Sequence, residues 1–138
     1  MIGIEKLSST TFHSSILTHQ RLKYLGKMAQ STEDHVSRLA LGLSISCGAI
    51  NNKFIVTPLV SEPSYESILS EKQLRSKTLF KDDMPLWIAL ILQIQKPDDY
   101  ADWRTAFTSH WERGVELLTE KTFQHEDWLE VVSSCLKK

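Results

Sequence analysis

Apolar residues along this chain recur mostly at three- and four-residue steps, the spacing of one face of an α-helix, and alternate only briefly. Ile2, Ile4 and Leu7 give a weak alternation that fits one short strand. Ser8 to Thr11 then supply N-cap residues, and the pattern predicts a helix over residues 11–28. Leu17, Tyr24, Leu25 and Met28 share one broad sector of that helix, whereas His19, Lys23 and Lys27 follow one another at four-residue steps on another sector. Arg21 projects near the apolar sector, so it is expected at an interface or on a buried acid. Gly26 loosens the helix end, and Ser31 with Asp34 approximates a capping box for a second helix over residues 32–47. Val36, Leu39, Ala40 and Leu43 lie on one side of it, Leu41 and Ile45 elsewhere. A helix apolar on more than one side belongs between other elements or at a subunit contact.

The middle of the chain, residues 48–82, is irregular. Phe54 to Val60 is rich in β-formers but is cut by Pro58, which predicts an edge strand. Pro63 and the Ser-rich stretch to Ser70 read as a surface connection, and Lys77 to Phe80 as another short strand. Asp82 or Asp83 then caps a third helix, with Pro85 in its first turn, running to about Gln95. Leu86, Ile88, Ala89, Leu90, Ile91, Leu92 and Ile94 make it apolar nearly all round, which predicts a central core helix. Asp98 or Asp99 caps a fourth helix, on which Tyr100, Trp103, Phe107, Trp111, Val115 and Leu118 form an aromatic packing stripe. A last helix is expected over residues 126–136. The pattern therefore predicts a mainly α, compact domain over residues 1–138, of about five helices with one or two short strands. Its first elements have the strand–helix–turn–helix order of a ribbon–helix–helix unit.

Composition adds little to this, but charge adds a polarity. With 41% hydrophobic and 24% charged residues the chain reads as an ordinary globular protein, and its 138 residues suffice for one core without staples. Net charge is −1, yet residues 1–60 hold six Lys/Arg against three acids, and residues 61–138 ten against fourteen. A basic half suits a phosphate backbone while an acidic half faces water or protein. Cys47 and Cys135, far apart on apolar stretches, are expected to be buried, reduced thiols, as in a cytoplasmic protein. No secretory leader is recognisable, and the run Pro85 to Ile94 is too short to span a bilayer, so no membrane partner is expected.

No catalytic set can be assembled from these residues. The five glycines are scattered singly, so no phosphate loop is formed, and no Cys/His cluster has metal spacing. His110 lies on the aromatic helix, where a hydrogen-bonded structural role is expected. Asp82-Asp83 and Asp98-Asp99 each precede an apolar helix, where capping is the plainer role. Neither a catalytic residue, a metal nor a cofactor is therefore expected. The binding feature is basic: His19, Lys23 and Lys27, with Lys6 before their helix and Arg38 on the next. Cations on a helical face can neutralise phosphates without reading bases; the plainer alternative is a solvated face.

Four stretches together resemble the DndE family of DNA sulfur-modification proteins. They are Ile4 to Ser8 with Arg21-Leu22-Lys23; Val36 to Ser44; Leu74 to Leu90, with a Thr-Leu segment, an acidic turn and an Ala-Leu helix; and Phe107, His110, Arg113 and Gly114. Lys81 stands where the family carries a glycine, and the turn after the first helix has Gly26 without a second glycine nearby. The resemblance implies a cytoplasmic, non-enzymatic subunit that binds double-stranded DNA, nicked duplex included, through surface lysines. It further implies an iron–sulfur sulfurtransferase-like subunit and an ATPase subunit as partners, in a complex that replaces a non-bridging phosphate oxygen by sulfur. Self-association, to a tetramer in the family, is expected as well. The alternative from another class is a ribbon–helix–helix transcriptional repressor.

Overall fold

The computed structural model describes residues 14–50, 53–60, 62, 80, 84–125 and 127–136. Five helices follow in order: α1 (Ile16–Ala29), α2 (Glu33–Ser46), α3 (Met84–Ile94), α4 (Tyr100–Thr122) and α5 (Trp128–Leu136). No strand occurs among the described residues, so the chain is all-α there.

The aromatic stripe makes α4 the central element, packed against α1, α2 and α5. Trp103, Phe107, Trp111, Val115 and Leu118 are all fully buried on it. Leu22 and Leu25 of α1, Ala40 and Leu41 of α2, Ile88 and Ile91 of α3 and Val131 of α5 close around that stripe. Phe80 enters edge-on against Phe107 and Trp111, with ring centroids at 5.5 and 5.6 Å, the arrangement that aromatic quadrupoles favour.

Local hydrogen bonds set the helix ends. Ser15 caps α1 by accepting the Thr18 N–H at 3.2 Å, so the helix starts beyond the Ser8 to Thr11 candidates. It ends with Gln30 in the left-handed region (φ 53°) and with the Ser31 N–H on the Gly26 carbonyl at 3.0 Å. Gly26 tightens this turn rather than loosening it, because a Cβ there would lie 3.3 Å from the Ser31 carbonyl oxygen. The Ser31–Asp34 box does not form: Thr32 holds the N-cap position, and both the Ser31 and Thr32 hydroxyls turn to His35 Nδ1. Asp99 caps α4 as expected, accepting the Asp102 N–H at 2.8 Å.

Three further expectations are corrected. Phe54 to Val60 forms no strand; its backbone groups bond side chains of α1 and α4 instead of a neighbouring ladder. Helix α3 lies at the periphery, leaning on α2, with only Met84, Ile88 and Ile91 buried and Leu86 56% exposed. The wider stripe of α4 already fills the centre. Cys47 is exposed at the C-cap of α2, where the chain turns outward, and Cys135 is half-buried; both thiols are free. Ile2 to Leu7, Lys77 to Leu79 and the caps Asp82 and Asp83 lie outside the described residues. Among the described residues no helix is long and apolar enough to cross a membrane.

Candidate nucleic-acid interface

The basic stripe survives in part. The buried face of α1 comprises Thr18, His19, Arg21, Leu22, Leu25 and Gly26, rotated away from the sector that its largest apolar residues define. His19 therefore leaves the stripe, at 9% exposure. Lys23 is half-buried and Lys27 exposed, one turn apart, and neither has an ion-pair partner among the described residues. Arg38 is half-buried and held by Asp34 at 3.6 Å, so its charge is already partly compensated. Lys6 lies outside the described residues. Lys23 and Lys27 remain as the uncompensated pair.

The largest side chain on the buried face of α1 is Arg21, which is fully buried. Its Nε and Nη2 donate to the two carboxylate oxygens of Glu62 at 2.6 and 2.7 Å, the bidentate fork, and Nη1 donates to Glu116 Oε1 at 3.2 Å. Nη2 also donates to the Thr57 carbonyl at 2.7 Å. Burial works against the guanidinium charge, but Glu62 and Glu116 outweigh it and hold its pKa above the ordinary value. The sequence expectation that Arg21 meets a buried acid holds; Glu62 gives no sign of the role in sequence.

A second network joins α2 to α4. Arg113 Nε donates to Ser44 Oγ at 2.9 Å, and Nη2 donates to the Ser44 and Gly48 carbonyls. Ser44 Oγ lies 2.9 Å from His110 Nδ1, and His110 Nε2 lies 3.0 Å from Gln95 Oε1. An amide oxygen only accepts, so Nε2 carries the proton and Nδ1 accepts from Ser44. Gln95 in turn exchanges two bonds with the Ile50 backbone, at 2.9 and 3.0 Å. His110 is buried, with a hydrogen-bond partner at each ring nitrogen, as its place on the aromatic helix leads one to expect.

Burial first, and then the Arg113 charge, push the His110 pKa down to about 4 from 6.5. The folded state thus keeps His110 neutral while the unfolded chain takes up a proton below its ordinary value. Stability from this group is complete above pH 6.5 and is lost as pH falls from 6.5 to about 4, by roughly 3 kcal/mol in all. Urea unfolding across that window checks it: His110→Gln flattens the slope, and an unchanged slope would refute the assignment.

The two helices that carry this network touch backbone to backbone at Gly114, where a Cβ would stand 1.8 Å from the Ala40 carbonyl oxygen. One turn earlier Trp111 Nε1 donates to Ser37 Oγ at 3.2 Å. No protein-family model, characterised protein or solved structure matches this chain.

Proposed function

We propose that the chain is the small, non-catalytic, DNA-associated subunit of a bacterial DNA sulfur-modification system, as its resemblance to the DndE family implies. One observation carries this reading. Stretches that resemble the family separately meet as one packed unit: Ser44 on His110 and Arg113, Ala40 on Gly114, and Phe80 on Phe107 and Trp111. The parts of the chain that each resemble the family thus share one packed core, as segments of a single fold do. In this reading α2 and α4 form the scaffold, and Lys23 and Lys27 of α1 neutralise duplex phosphates without reading bases. The exposed apolar side of α3, with Leu86 and Ala89, faces the sulfurtransferase-like or ATPase subunit or a second copy of the chain.

The test is a salt titration of binding to intact and nicked duplexes of unrelated sequence. Changing Lys23 and Lys27 to Glu weakens every duplex alike, and each lost phosphate contact lowers the log-affinity against log-salt slope by about 0.9. Folding changes by less than about 0.5 kcal/mol, since both side chains reach solvent. An unchanged slope removes these lysines from the interface. Loss confined to one sequence points instead to the ribbon–helix–helix repressor, which reads base edges. Co-purification from the host, with identification of the bound subunits, tests the partner assignment.

A further inference from the structure

On the N-terminal half of α4 two cavities of about 350 and 400 Å³, neither lined by Lys23 or Lys27, open side by side and share Lys53, Thr105 and Ser109. The smaller lies between Lys53 and Phe54 on one wall and Arg104, Thr105 and Thr108 of α4 on the other. We infer that this cavity is a nucleotide-binding site, the phosphate held by Lys53 and Arg104 and the base stacked on Phe54.

Charge is the first support. Neither Lys53 nor Arg104 has an ion-pair partner among the described residues. Glu112, the carboxylate at the cavity's end, is 7% exposed and tied to α1: its Oε2 accepts from the Ser15 N–H and the Thr18 hydroxyl, both at 2.9 Å. Asp98 and Asp102 line only the larger cavity, beside Lys96. In the lining of the smaller cavity the two cations, Lys53 and Arg104, thus outnumber the one carboxylate, whose Oε2 is already engaged, and two cations beside one cavity suit a phosphate.

Shape is the second support. Thr105, Thr108 and Ser109 sit at i, i+3 and i+4, which puts three hydroxyls on one face of α4. Ser109 Oγ accepts the Phe54 N–H at 3.1 Å, and the Gln95–Ile50 pair fixes the chain just before. The Phe54 backbone is thus tied to α4, which lowers the ordering cost of binding on that side. A half-buried aromatic ring beside a cation pair suits a flat base carrying a phosphate. A volume of about 350 Å³ is small among ligand sites, the scale of one nucleotide rather than a dinucleotide.

The experiment titrates the full chain with thymidine 5′-monophosphate, inorganic phosphate, thymidine and a short 5′-phosphorylated oligothymidylate, followed by amide chemical shifts. The monophosphate is expected to shift residues 53–54 and 104–109 saturably, and thymidine to bind at least about tenfold more weakly. Lys53→Gln with Arg104→Gln weakens the monophosphate about tenfold or more. Phe54→Leu, which keeps the volume apolar, weakens it about fivefold and leaves inorganic phosphate unaffected. Tighter binding of the oligonucleotide identifies a DNA strand as the source; equal binding identifies a free nucleotide. Absence of saturable shifts from both phosphorylated ligands, or equal binding of thymidine and its monophosphate, overturns the inference. Duplex binding through Lys23 and Lys27 is read separately, and the Lys23→Glu, Lys27→Glu protein should retain the monophosphate shifts.

Discussion

Gly114→Ala is expected to destabilise the fold by about 3 kcal/mol or more, although it adds a single methyl group. The new Cβ would stand 1.8 Å from the Ala40 carbonyl oxygen and 2.4 Å from its carbonyl carbon. Both are backbone atoms, so no rotamer change relieves the overlap, and α2 must move off α4. That movement stretches the Trp111–Ser37 bond and the bonds of Arg113 and His110 to Ser44. The gain in helix propensity, roughly 1 kcal/mol, cannot offset this. Gly42→Ala is the matched control: its Cβ would meet only the far edge of the Trp87 ring at 3.8 Å, an ordinary contact. It should be neutral or stabilising by up to about 1 kcal/mol. Urea unfolding of the two variants beside wild type decides the matter; equal stability of Gly114→Ala and wild type would refute the prediction.

The contrast between these glycines also marks where sequence reasoning stops. Periodicity finds helices because core residues repeat with the helical turn, and the aromatic stripe from Trp103 to Leu118 is buried as its spacing requires. Asp99 was readable because a cap acts within one turn of its own residue. The Arg21 position was readable too, since a charge beside an apolar sector demands a partner. The partner's identity was not, because Glu62 and Glu116 lie 41 and 95 residues away. The same distance hides Ser44, Gln95 and Arg113 as a network around His110. The misplaced face of α1 follows directly: Thr18, His19 and Arg21 are buried polar residues, and apolar spacing gives them no weight. Lys53 and Arg104 escaped notice since the groove joins an irregular segment to a helix. Phe54 to Val60 failed as a strand because β-propensity describes a pleated surface with a neighbour, and the neighbours here are side chains.

Removing the Arg21 charge should cost about as much as any single side-chain loss in the protein, roughly 3–5 kcal/mol for Arg21→Met. Methionine keeps most of the buried stem, so the loss is electrostatic rather than a cavity. Glu62, whose side chain is 4% exposed, and Glu116, at 18%, would then face each other without a cation. The Thr57 carbonyl would also lose its donor. In that variant two carboxylates share a buried site without a cation, a setting that disfavours their charged form. The deficit is therefore full at neutral pH and shrinks as acid protonates the pair, a trend read against wild type at each pH so that the His110 contribution cancels. Adding Glu62→Gln and Glu116→Gln to Arg21→Met removes the orphaned charges, while the amide oxygens can still accept from the Leu59 and Thr57 N–H groups. Most of the lost stability should return, as when a whole buried ion network is replaced rather than broken. If the triple variant is as unstable as Arg21→Met, the network acts through packing of the 53–62 segment and not through its charges.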